Sequence, residues 1–234
     1  MKRLQRQGTP YRRILITLVS FGLVASACST DSVHLSRGSL GPAHYVVEVR
    51  AAGAAVGLHT FRRADLRVDA RPSGAVFRLR ASSGDVITAD VLLTPDGSVF
   101  LERVRGAGSG VEADLASLVG QLSPSLPKRA IRLGQHWSSS QRIRTSTLVT
   151  SLHTVLRIVR FSRIAGTDAA DFAGDIRGRV QTTNPRGTFS GTLVGHTEIA
   201  WSVRAGRVVT ADTSLVWSIE NSGRVTLDTV VRPR

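Results

Sequence analysis

From Ala43 onward, apolar and polar residues alternate with period two along most of the chain, which is the pattern of strands with one buried face. The clearest runs are Leu66/Val68/Ala70, Phe77/Leu79/Ala81, Leu215/Trp217/Ile219 and Val225/Leu227. Keeping apolar faces together predicts hairpins, because a one-residue slip would turn a whole strand outward. Val91 and Leu93 face Leu101 and Val99 across a three-residue loop ending in Gly97, where glycine suits the left-handed position. Trp201 and Val203 share a face with Val209 and Ala211 if the loop is Arg204-Ala205-Gly206. Trp217 and Ile219 stand beside Leu227 and Val225 if the loop is Asn221-Ser222-Gly223, and Leu66/Val68/Ala70 match Ala81/Leu79/Phe77 around Ser73-Gly74.

One segment has a different period. Val111, Leu115, Leu118, Val119 and Leu122 fall on one stripe of an α-helix near 111–122, with Ser109 and Glu112 as a capping box and Pro124 and Pro127 as the stop. The expected fold class is mainly β (α+β): a strongly curved antiparallel sheet or half-barrel, with this single amphipathic helix packed on its concave or open side. The sequence shows no internal repeat, and 43–234 is read as a single β-rich domain.

The N-terminus changes the picture. Lys2, Arg3, Arg6, Arg12 and Arg13 precede an uncharged, mostly apolar run from Ile14 to Ala27, the layout of a secretory signal over 1–27. That run is shorter than the roughly 20 apolar residues a membrane span requires. It ends Leu23-Val24-Ala25-Ser26-Ala27-Cys28, which resembles the lipobox of bacterial lipoproteins. The resemblance implies cleavage before Cys28, acylation of its thiol (palmitate among the acyl groups expected) and anchoring on the extracytoplasmic face of an envelope membrane. Residues 28–42, polar and turn-rich, are expected to be the lipidated tether. The chain has one cysteine, so no internal disulfide supports the fold, which rests on its apolar core.

The sequence holds 31 basic and 17 acidic residues, net +14. The segment 1–27 carries five of the basic ones, which leaves 26 against 17, or +9, for the rest. These arginines are scattered singly among apolar residues, as in Phe77-Arg78-Leu79-Arg80, without aromatic stacking platforms. No nucleic-acid partner is expected; the charge reads as a solvated strand face or as attraction to anionic surfaces.

Candidate chemistry is sparse. Ser125-Leu126-Pro127-Lys128 has the letters of a Ser-x-x-Lys pair, yet a proline sits inside the turn and no Lys-Thr-Gly accompanies it. Gly106-Ala107-Gly108-Ser109-Gly110 misses the nucleophile-elbow spacing and reads as the loop before the helix. His196 and Glu198 share a strand face and need a third ligand to hold a metal; Asp168, Asp171 and Asp175 miss the calcium-loop spacing. No glycine motif for a nucleotide follows a strand, so no cofactor, metal or catalytic residue is expected.

Leu126-Pro127, Gly134-Gln135-His136-Trp137 and Gly191-Thr192 together resemble envelope lipoproteins of actinobacteria over Leu126 to Leu227. The order strand, helix, strand behind a lipid anchor is also similar in architecture to Lol-type carriers and mycobacterial LppX-type lipoproteins. That resemblance implies a half-open barrel with a hydrophobic cavity for acyl chains. The function expected is therefore non-enzymatic binding or transport of a lipid-like ligand. Trp201, Trp217, Val203, Leu215, Leu227, Leu115 and Leu118 are the expected cavity residues. The alternative is an accessory subunit that docks on an envelope complex through its basic surface. A third reading, an envelope hydrolase, requires a serine, a histidine and an acid to converge in space.

Overall fold

The alternating segments form strands throughout the computed structural model of the protein, which describes residues 32–37, 42–53, 62–94, 98–106, 111–164, 166–184, 187–220 and 223–234. The expected signal segment and Cys28 lie outside the described residues. In chain order the elements are β1 (Ala43–Gly53), β2 (Arg63–Arg71), β3 (Gly74–Ala81), β4 (Val86–Leu93), β5 (Val99–Arg105), α1 (Val111–Leu122), β6 (His136–Arg144), β7 (Leu148–Ile164), β8 (Thr167–Asn184), β9 (Gly187–Ser202), β10 (Arg207–Ile219) and β11 (Gly223–Pro233).

Each strand pairs with its neighbour in sequence, and β11 pairs with β1, so the expected curved sheet closes into an eleven-stranded barrel. Closure removes the exposed edges that an open half-barrel would leave. All pairs are antiparallel except β5 with β6, which run parallel and are matched over two residue pairs, Val99 with Ile143 and Phe100 with Arg144. A parallel pair needs a crossover, and α1 is that crossover. An eight-stranded barrel is about as wide as side chains alone can fill; eleven strands enclose more, and the helix occupies part of the difference.

The predicted hairpins all form, and period two held the faces better than the register. Val91 with Leu101 and Leu93 with Val99 pair as expected. The β2–β3 hairpin is shifted by two, pairing Leu66 with Leu79 and Val68 with Phe77. The β10–β11 hairpin is shifted likewise, with Leu215 opposite Leu227 and Trp217 opposite Val225. A shift of two keeps every side chain on its face, so hydrophobic pattern alone does not forbid it. The β9–β10 pair departs further. Trp201 is opposite Val208, and the register slips between Val208 and Thr210. This bulge re-aims the strand so that Val208 and Ala211, each 1% exposed, both point inward.

Most inward positions are apolar and buried, from Val47 and Val49 on β1 around to Leu227 and Val231 on β11. Large side chains such as Phe77, Leu66 and Leu79 are at most 1% exposed, and each contributes roughly 1.5–3 kcal/mol by burial. The outward face of the long strands β7, β8 and β9 instead exposes His153, Arg157, Asp175, Arg177, Arg179, His196 and Glu198. Val155, Val159, Phe161 and Val194 are exposed among these polar side chains, so the outer face lacks the continuous apolar band of a barrel that faces lipid. No helix among the described residues is long and apolar enough to cross a membrane.

Within the expected tether, residues 32–37 are docked on the barrel. Val33 bridges Ile131, Leu35 joins the core at 2% exposure, and Arg37 donates to the carbonyls of Ser123 and Pro124 at 3.1 and 3.0 Å. The polar, turn-rich composition that suggests a free linker conceals one apolar side chain with a place in the core.

Candidate functional site

Helix α1 is set by its residues on both faces and at both ends. Its stripe of Leu115, Leu118, Val119 and Leu122, none more than 4% exposed, belongs to the core. Its end is fixed by Ser123, whose backbone N–H and hydroxyl both donate to the Val119 carbonyl at 3.0 and 2.6 Å, and the prolines that follow cannot continue the helix. At its start Ser109 lies outside the described residues, and Glu112 turns to the β6–β7 connection. Its carboxylate accepts from the hydroxyls of Thr145, Ser146 and Thr147 and from the Thr147 backbone N–H. Desolvation pushes the Glu112 carboxyl up, but the hydrogen bonds from Ser146, Thr145 and Thr147 outweigh it and hold the group below the usual carboxylate range.

The opposite face of α1 is made of small and uncharged residues, Ala116, Ser117, Gly120 and Gln121. Between this face and the inner wall of β6 to β10 lies a cavity, continued at one end by Pro124 and Ser125. The wall comprises Ser139, Gln141, Ile143, Thr150, Leu152, Thr154, Leu156, Ile176, Leu193, Thr197, Ile199, Thr213, Leu215 and Trp217. The space between these walls is about 640 Å³ with its open mouth included. Among the described residues that line it, none is charged or titratable.

Glycines make the room. On the inward positions of β8 and β9 stand Gly174, Gly178, Gly191 and Gly195, which present no side chain to the interior. A Cβ at Gly174 would lie 2.0 Å from the Val155 carbonyl oxygen, and one at Gly195 would lie 2.2 Å from that of Ser214. Neighbouring strands therefore approach too closely there for any other residue. On the helix, a Cβ at Gly120 would come within 3.2 Å of Ile143 Cδ1.

Polar groups are placed within this apolar enclosure. Thr197 and Thr213, directly paired across β9 and β10, share a hydrogen bond of 2.7 Å. Gln121 Oε1, Thr150 Oγ1 and Trp217 Nε1 are buried and make no hydrogen bond to any described residue. Outside the cavity lining, both oxygens of Asp114 and Nε1 of Trp201 are in the same condition. Burial raises the Asp114 carboxyl to about 7.

Of the expected cavity residues, Leu215 and Trp217 line the cavity. Trp201, Leu227, Leu115 and Leu118 do not; all four are core side chains, and Val203 packs against the core from its margin. Leu115 and Leu118 fill the core because they lie on the apolar stripe, and it is the smaller face behind them that leaves space. Trp137 stands beside Ser125, donating Nε1–H to its carbonyl at 3.0 Å, and meets Phe172 edge-on at 5.3 Å.

The remaining candidates do not assemble a reactive site. Ser125 is at the cavity end, while Lys128 is exposed. His196 lies 3.0 Å from Asp175 and 4.0 Å from Glu198 on the outer face, and no group of three or more such side chains among the described residues is arranged to hold a metal. Asp171 is engaged by Arg160 at 2.5 Å and Ser162 at 2.8 Å.

The fold and the site thus define a closed barrel, antiparallel except at the β5–β6 seam, with an internal helix and a cavity that no charged side chain lines among the described residues. No family model matches the sequence, and no curated protein matches it. Among solved structures, the hypothetical lipoprotein YmcC from Escherichia coli K12 aligns over 84% of this chain and 86% of its own, at 10% identity and a TM-score of 0.30, a superposition too loose to define a common fold.

Proposed function

We propose that the protein is an envelope lipoprotein, acylated at Cys28, whose barrel binds a lipid-like ligand in the slot between α1 and β6 to β10. The observation that carries the ligand reading is a largely apolar cavity between α1 and the inner wall of β6 to β10, with no charged side chain among the described residues that line it. Its walls are apolar with a few placed polar groups, the composition expected of a site for an amphipathic molecule. The reading as a binder is supported by that lining, in which no titratable side chain stands among the described residues. The anchor reading is supported by the basic and apolar layout of 1–27 and by the small residues before Cys28.

Mass spectrometry of the mature protein from its own envelope, intact under native conditions and again after organic extraction, tests both parts. The expected result is an acyl mass on Cys28 and a releasable lipid at near-equal stoichiometry. A protein that carries no extractable molecule and takes up none from added lipid would overturn the ligand reading. An unmodified Cys28 would overturn the anchor.

A second reading, docking on an anionic surface or partner, is favoured by one observation. Arg142, Arg177 and Arg179 surround Ser151 on the outer faces of β6 to β8, and none forms an ion pair among the described residues. Binding to anionic vesicles that falls with salt and is lost in the triple Arg→Gln variant is its expected signature.

A further inference from the structure

Resting on the anchor reading above, we infer that the connection from α1 to β6 is the face by which the barrel lies on the anionic bilayer that holds the Cys28 lipid. The chain itself limits which part of the barrel can be near that lipid. Five residues lead from Cys28 to Val33, and five residues span at most about 18 Å in any conformation. Val33 is fixed in turn, since its N–H and carbonyl bond to the carbonyl and N–H of Ile131 at 2.8 and 2.9 Å. Two residues on, Leu35 is buried in the core, and Arg37 donates to the carbonyls of Ser123 and Pro124. An acyl group on Cys28 therefore keeps Ile131 and its neighbours close to the membrane surface.

What surrounds Ile131 suits that surface. The connection 124–135 contains Lys128, Arg129 and Arg132 and no acidic residue. All three are exposed, and none forms an ion pair among the described residues. Cations so placed are drawn to anionic headgroups, each strengthening the partition roughly fivefold. Next to Arg132 stands Leu133, at 59% the most exposed large apolar side chain among the described residues. A single exposed leucine is ordinary, but this one is held out by a built turn. Gln135 N–H donates to the Arg132 carbonyl at 3.0 Å, Arg132 N–H to Gln135 Oε1 at 2.9 Å, and Gly134 N–H to the Ile158 carbonyl at 2.9 Å. Gly134 has φ +77°, as the third position of a type II turn requires, so Leu133 occupies the tip. Val159 and Phe161, 41% and 43% exposed, follow Ile158 on β7. An apolar tip flanked by unpaired cations is the pattern of a segment that enters the headgroup layer. Pro124 and Ser125 of the same connection line one end of the cavity, so the docked pose sets that end toward the bilayer.

Nitroxide labels at L133C and S151C of the mature acylated protein, reconstituted in vesicles of equimolar phosphatidylcholine and phosphatidylglycerol, test this. Acylation consumes the Cys28 thiol, so each label reports one site, and both positions are exposed, so neither change disturbs the core. The ratio of label collisions with oxygen to those with a water-soluble nickel chelate is expected to be at least about fivefold higher at position 133 than at 151. It should fall to the level of 151 in phosphatidylcholine alone and in the triple variant K128Q/R129Q/R132Q. Equal ratios at the two positions in the anionic vesicles overturn the inference and leave the anchor in place; a ratio raised at 151 alone transfers docking to the arginines of the β6–β8 face. A high ratio at 133 that is indifferent to phosphatidylglycerol and to the triple variant overturns the role of the cations. Protein that carries no acyl group and does not stay with the vesicles overturns the anchor reading itself, and this inference with it.

Discussion

Asp114 is the residue at which burial and charge conflict most sharply. It is 2% exposed, neither carboxylate oxygen has a hydrogen-bond partner among the described residues, and desolvation raises it from 3.8 to about 7. Between those values the folded protein holds a proton that the unfolded chain has released, so stability falls as pH rises from about 4 to about 7 and is level above. Urea unfolding of Asp114→Asn is expected to lack this slope and to exceed the parent at pH 8 by on the order of 2–4 kcal/mol. The advantage should vanish by pH 4; a gap that does not change with pH would mean that the carboxylate is not its origin. Glu112, two residues earlier, behaves in the opposite sense. Its carboxyl is held below the usual range, so its contribution is present above the ordinary glutamate value and is lost as pH falls through the lowered one. Glu112→Gln should cost about 1.5–3 kcal/mol at pH 7, by the same unfolding measurement, because four donors would lose a charged acceptor. Neither effect is legible in the sequence. Both carboxylates stand in the first turn of one helix, and only the tertiary surroundings give one of them three hydroxyls and the other none.

The helix shows how far sequence pattern reaches at the scale of an element. Its range, its apolar stripe and its proline stop follow from spacing alone, and the stripe is buried as the spacing requires. Periodicity names the face that packs; it does not name the face that leaves space. Spacing alone points to Leu115 and Leu118 as ligand contacts, while the structure turns Ala116, Ser117, Gly120 and Gln121 toward the cavity. The signal was present as a run of small residues behind the stripe, but it has meaning only once a wall stands opposite. Strands show the same division: alternation names the inward face of most strands and leaves the register free in steps of two, while the β9–β10 bulge turns Val208 inward where alternation points to Val209. Two substitutions separate the faces. Ser117→Leu is expected to fill the slot and lower 1-decanol affinity more than tenfold, with little change in thermal midpoint. Leu115→Ala opens a core cavity and should cost about 2–5 kcal/mol of stability, while changing decanol affinity by less than threefold. Reversal of the two outcomes, by calorimetric titration and thermal unfolding, would move the site to the other face of α1.

At the scale of the whole molecule, closure is uneven, and the unevenness bears on how a ligand enters. Strands β7 and β8 match over sixteen residue pairs, as do β8 and β9, whereas β5 and β6 match over two among the described residues. The barrel therefore has one weak seam, the parallel one, and no period in the sequence marks it, because it follows from the crossover through α1 and not from any run of residues. Ile143 belongs both to that seam and to the cavity wall. Local openings draw on regions with few shared hydrogen bonds, so β5 and β6 should separate long before the long strands do. Native-state hydrogen exchange is expected to show the amides that bond across the seam, at 99–100 and 143–144, exchanging before those of the β8–β9 ladder. A ligand that occupies the slot stabilises the closed state by RT ln(1 + [L]/Kd). Saturating 1-decanol should then slow exchange at Ile143 and its neighbours on β6 more than at β1 or β11. Uniform slowing around the barrel would mean that the ligand stabilises the fold as a whole and enters elsewhere, whereas slowing confined to the seam makes the β5–β6 junction the gate of the slot.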